Sequence, residues 1–217
     1  RLTGFELLRN NTYQTMTAED THYQSPLQKA EAYVVFVELL GKHAQRDAQD
    51  LQDACAHGFE QEWIADACFF DTAAAQEECW KIREDVAALE LHAPHNQHFD
   101  ISIPIGDIGQ IMNDILSQLQ HIEGVLGAYP FGHVADGNMH LIVGKENNSQ
   151  QLTKQINEIV YQPLAAVKGS ISAEHGIGMD KKPYLQLSRS QDEIKLMKGL
   201  KQLFDPKNIL NPSRIVN

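Results

Sequence analysis

No apolar run in this chain approaches the roughly 20 residues needed to span a bilayer, and no signal peptide is expected. Basic residues are scarce. Eighteen Lys and Arg against 29 Asp and Glu leave a formal net charge of -11, which excludes unassisted nucleic-acid binding, because that takes a basic face. Cysteine is rarer still. Cys55, Cys68 and Cys79 have no close zinc-type spacing, and their odd number fits a reducing compartment, so three buried or half-buried thiols are expected. No G-x-G-x-x-G follows a strand, and no Walker motif, repeat, low-complexity tract or linker is present, so the chain has no nucleotide-binding signature of its own. A cytoplasmic location is expected, with peripheral attachment at the inner membrane as the variant.

What is present suits a globular protein. The 217 residues, 42% of them apolar, are enough for one large domain or a compact pair. The chain begins with Arg1, and residues 2–8 already read as structured, so a piece of a longer protein is expected. Residues 32–40 are β-branched and aromatic and predict a buried strand; 63–70 suggest a second. A helix is expected over 43–57 with Gly58 as its cap, and a long one over 72–91 opened by Thr72. Residues 99–105 alternate, with Phe99, Ile101 and Ile103 on one face and Asp100 and Ser102 on the other. Residues 107–121 are amphipathic, 125–133 and 139–143 form a hairpin, and 150–167 and 191–204 are further helices. The order predicts an α+β fold: a ferredoxin-like antiparallel sheet with helices on one face, plus a C-terminal helical segment. The expected division is a core over 1–145 and a helical segment over 146–217.

The chemistry concentrates in residues 131–140, Phe-Gly-His-Val-Ala-Asp-Gly-Asn-Met-His. Asp-Gly is a preferred two-residue hairpin loop with positive φ at both positions. With Asp136 and Gly137 as that loop, His133 would sit opposite His140, with Cβ atoms roughly 5 Å apart. Two imidazoles and a carboxylate suit zinc, manganese or iron(II), with positions left for substrate. Glu174, in Ser-Ala-Glu-His-Gly-Ile-Gly, is the candidate carboxylate; alternatively, Glu174 and His175 merely open a helix, where an acid favours the dipole. Gly176 and Gly178 suit either a crowded site or an ordinary turn. Arg83 could clamp a carboxylate bidentately or could be a solvated surface arginine. His22, His43, His57, His92, His95 and His121 read as ordinary core or surface residues.

Three ordered motifs carry a resemblance: the His133–His140 segment, the segment around Glu174, and Phe-Asp-Pro-Lys-Asn-Ile-Leu-Asn-Pro over 204–212. Together, and over essentially the whole chain, they resemble the C-terminal substrate (cap) domain of FAD-linked oxidases of the vanillyl-alcohol oxidase superfamily. The branch is similar to the D-2-hydroxyacid dehydrogenases acting on D-lactate, D-2-hydroxyglutarate or glycolate. The resemblance implies His133, His140 and Glu174 as metal ligands, zinc being the expected ion. It implies His175 as catalytic base, Arg83, Asn138 and His98 as substrate-binding residues, and Asn211 near the flavin. It also implies that FAD is bound mainly by an N-terminal domain of the same protein, absent from this chain, so that this piece alone would be inactive. The bare flavin-facing surface would favour self-association as a homodimer. Relatives acting on 2-hydroxyglutarate tend to carry a lysine where this chain has His98 and a threonine where it has Ala87. Both departures point to a general, lactate-like 2-hydroxy acid. The alternatives from other classes are a free-standing metal-dependent hydrolase and a non-catalytic interaction module.

Overall fold

Alternation builds the sheet. A computed structural model describes residues 1–29 and 31–216. It has strands β1 (Leu2–Arg9), β2 (Tyr33–Leu39), β3 (Gln97–Ser102), β4 (Val125–His133) and β5 (Asn138–Lys145) in one antiparallel sheet of order β2-β1-β4-β5-β3. Residues that alternate along these strands face opposite layers. Phe99, Ile101, Met139, Leu141 and Val143 pack against α5 (Ile108–Leu119) and α6 (Gln150–Ala166). Both helices present buried residues at helical spacing: Ile108, Ile111, Ile115 and Leu119 from α5, and Leu152, Ile156, Val160 and Leu164 from α6. Each such Leu or Ile contributes roughly 1.5–3 kcal/mol by leaving water.

The α+β class and antiparallel sheet are as expected, and helices gather on the second face too. Leu8, Val34, Phe36, Phe131 and Ile142 form a second core with Tyr13 and Met16 of α1 (Asn10–Met16), Ile82 of α3 (Ala73–Glu84) and Leu89 of α4 (Val86–His92). Strands β3 and β4, joined by α5, flank β5, which is antiparallel to both: a split βαβ unit. After α6 the chain returns beside β3 through a single bridge, Ser102 to Ser170. Helices α2 (Ala44–Glu60) and α7 (Gln191–Phe204), with 3₁₀ turns at Ile105–Asp107 and Lys182–Leu187, complete the elements.

Several expectations are corrected. Residues 63–70 form no strand; Trp63 and Phe69 are exposed, and Asp66 ties the loop down by accepting from the backbone N–H groups of Gln28 and Lys29. The helix expected over 72–91 does start at the Thr72 cap but breaks at Asp85 (ψ 72°), whose carboxylate accepts from Tyr23 Oη at 2.9 Å. Gly58 lies inside α2, pressed against Ile64, and Gln61 is the cap. Cys68 is exposed, whereas burial pushes the Cys79 thiol up to about 11. Among the described residues no helix is long and apolar enough to cross a membrane.

Candidate active site

The hairpin register differs from the one expected. His133 pairs with Asn138, and His140 with Phe131. The loop therefore has four residues, 134–137, with Asp136 N–H donating to His133 O and Gly137 N–H to Val134 O. Of Asp136 and Gly137, only Gly137 has positive φ (83°). Its missing Cβ would lie 2.3 Å from Ile103 O, so the turn needs glycine for space as well as for conformation. The shift is by two residues, so the histidines keep a common face as diagonal neighbours. Their ring centroids are 5.3 Å apart and nearly perpendicular.

Asp100 brings in the third segment. It pairs with His140 across β3 and β5 and is fully buried. Its Oδ2 accepts from the backbone N–H groups of Ala173 (3.1 Å), Glu174 (2.8 Å) and His175 (2.8 Å) and from Ser172 Oγ (3.2 Å). Burial alone would raise its pKa, but the His175 and Glu174 N–H groups and the Lys181 charge hold the carboxyl below its ordinary value. Glu174 and His175 thus lie in an irregular loop stitched to β3, not at the start of a helix or in a helical segment.

His133, His140 and Glu174 each offer a ligand atom, all within 4.8 Å of one another. His175 stacks by His140 with centroids 6.2 Å apart. Burial first, and then the Arg83 charge, hold His140 below the ordinary imidazole value, favouring the neutral ring that ligates metals. Asp100, Glu174 and His175 form a second possible grouping; Asp100 Oδ2 is engaged by four donors there, whereas its buried Oδ1 has no hydrogen-bond partner among the described residues.

A cleft of about 390 Å³ adjoins the histidines; Arg83, His98, His133, His140 and His175 all line it. Arg83 is buried, not solvated. Its Nε and Nη2 reach Glu6 Oε2 at 2.9 and 2.8 Å, and its Cζ lies 4.8 Å from the Phe131 ring centre. His98 Nε2 lies 3.0 Å from Asn96 Oδ1 and 3.2 Å from Glu90 Oε1. Asn138 is buried on the histidine face, and neither atom of its amide has a hydrogen-bond partner among the described residues, so the site holds an unspent donor and acceptor. Asn211 is exposed in the tail at φ 46° and is not among the residues lining the cleft.

Sequence reasoning missed Glu6 and Asp100. Glu6 was visible as a lone acid inside an apolar strand, on the same face as Leu8. Asp100 occupies the face of β3 that alternation assigned away from the core, and it became central because residues 170–175 cover that face.

A profile of the family described as "FAD linked oxidases, C-terminal domain" matches residues 1–215. The chain is 29% identical over 215 residues to a mitochondrial D-2-hydroxyglutarate dehydrogenase of Arabidopsis thaliana, covering 99% of this chain and 38% of that protein. It is 31% identical to a putative mitochondrial D-lactate dehydrogenase of Schizosaccharomyces pombe (99% and 42%). It is 30% identical to a D-2-hydroxyglutarate dehydrogenase of Xanthomonas citri pv. viticola (99% and 46%). The chain therefore spans less than half the length of these relatives.

Proposed function

Because the chain belongs to the family of C-terminal domains of FAD-linked oxidases, we propose that it is the substrate-binding part of a longer flavoenzyme that oxidises a D-2-hydroxy acid to a 2-oxo acid. The observation that carries this reading is the convergence of His133, His140 and Glu174 within 4.8 Å beside His175 and the Arg83 cleft.

These three side chains would hold a divalent cation, zinc first, and the donor set fits: two imidazoles, one kept neutral by burial, and one exposed carboxylate. When bound, such a cation would supply Lewis acidity to a 2-hydroxy acid. FAD, which the rest of the longer protein would hold, would supply the hydride-accepting chemistry.

The chain's own residues bind and orient. Arg83 faces the substrate carboxylate with the part of its guanidinium not engaged by Glu6. The Asn138 amide, otherwise unpartnered, hydrogen-bonds the substrate's polar end. His175, held beside His140 by its backbone bond to Asp100, accepts the hydroxyl proton. His98 meets the substrate's far end. Glu90 already engages that ring at 3.2 Å and would repel a second carboxylate there, which favours a lactate-like monocarboxylate. No observation favours a hydrolase or a non-catalytic module.

Two measurements on the intact flavoenzyme test this. Across a panel of D-2-hydroxy acids, kcat/KM should be higher for D-lactate than for D-2-hydroxyglutarate; the reverse order would overturn the substrate assignment. His140→Ala should lose bound metal and turnover while retaining FAD. Full turnover without metal would overturn the mechanism.

A further inference from the structure

The ring of a metal-ligating histidine is set by whatever its second nitrogen bonds. For His133 that partner is Glu6, whose Oε1 lies 2.5 Å from Nδ1. Glu6 sits directly opposite His133 in the β1–β4 register and is only 7% exposed. Its other oxygen, Oε2, is held by both Nε and Nη2 of Arg83, so the carboxylate cannot turn without breaking an ion pair buried at both ends. An ionised carboxylate only accepts hydrogen bonds, so the Nδ1 of His133 must carry the proton. That leaves the lone pair on Nε2, the nitrogen that faces Glu174 Oε1 at 3.9 Å.

We propose that Glu6 is a positioning residue of the site: clamped by Arg83, it takes the Nδ1 proton of His133 and so presents the Nε2 lone pair to the cation. This inference rests on the reading of His133 as a ligand. It also ties the two halves of the site together, because one buried carboxylate orients both the metal-side imidazole and the substrate-side guanidinium. A purely structural role, in which Glu6 only neutralises a buried Arg83, would fix no tautomer.

Glu6→Gln separates the two. The amide oxygen can still accept from Arg83, while its NH₂ would donate to Nδ1 and push the His133 proton onto Nε2. The ¹⁵N-histidine-labelled chain, stripped of metal by chelation, gives the tautomer from long-range ¹H–¹⁵N correlations. Wild type is expected as the Nδ1–H form and Glu6→Gln as the Nε2–H form, with Zn²⁺ affinity by competition calorimetry reduced roughly 10–100-fold. An Nε2–H tautomer in wild type, or Zn²⁺ affinity within twofold in a folded Glu6→Gln chain, overturns the inference. The wild-type spectrum decides the matter even if the variant fails to fold. A wild-type chain that binds no Zn²⁺ would instead sink the proposed function, and the tautomer would still decide the role of Glu6.

Discussion

Asp100 and Gly137 show how single residues hold the site in shape. Asp100 collects three loop amides and a hydroxyl in a place closed to water, so Asp100→Ala would strand those donors. A loss of about 1–3 kcal/mol is expected in urea unfolding at pH 7. Its pKa is lower in the folded chain than in the unfolded one. The Asp100 contribution is therefore complete above the unfolded value and is lost as pH falls through the folded one. The stability gap between wild type and Asp100→Asn should accordingly narrow as pH drops below the ordinary carboxyl value of 3.8; a gap that stays constant down to acid unfolding would contradict this. Gly137→Ala meets both a left-handed φ and the Ile103 carbonyl. It should cost at least ~1–3 kcal/mol, and urea titration would show it directly. His133, His140 and Glu174 could be found in sequence because turn chemistry and residue type mark them. Glu6 stood out only as a lone acid in an apolar strand and Asp100 only as a residue of the polar face; their enclosure is revealed by long-range pairing alone.

Elements were readable where their periodicity was strong. Helices α5, α6 and α7 and strands β2, β4 and β5 fall close to their expected bounds, since each carries a clear apolar pattern or cap. The misplaced elements share a cause: local composition without a partner. Residues 63–70 are apolar enough for a strand, yet Trp63 and Phe69 remain in solvent. The 72–91 pattern is helical on both sides of Asp85, and the break is fixed by a distant tyrosine that no local window contains. The hairpin slipped for a related reason, because Asp-Gly is compatible with both two- and four-residue loops and the closing choice depends on Ile103 meeting Gly137. Helices α5 and α7 offer a matched comparison. Ile115 is fully buried, whereas α7 has no buried residue and Leu203 is largely exposed. Ile115→Ala should cost about 2–5 kcal/mol, and Leu203→Gln should stay within about 0.5 kcal/mol. Similar denaturation midpoints for the two variants would mean that the cores are drawn wrongly.

At the scale of the whole molecule, the sheet is packed on both faces, and the cleft opens on the one shared with α1, α3 and α4. Ligand binding there should stabilise the entire fold, because two of the three donors, His133 and His140, come from central strands of the sheet and the third ties the 170–175 loop to them. At a hundredfold excess over Kd the gain is about 2.7 kcal/mol. For a chain of this size that raises Tm by roughly 5–10 °C. Differential scanning fluorimetry with Zn²⁺ against chelator should show that rise in wild type and none in His140→Ala; equal Tm values in wild type would count against a cation site. The fold class was apparent from the alternation of strand-like and helix-like stretches. The second helical layer was not, because nothing in α1 or α4 alone says which side of the sheet it will cover. The pairing of Glu6 with His133 has a further implication for biogenesis. A ribosome delivers the carboxylate more than a hundred residues before its imidazole, so β1 can zip onto β2 early, yet its other edge must wait. If the site takes a cation as proposed, its capture would be a late checkpoint in maturation, one that a chain stalled before the hairpin emerges can never pass.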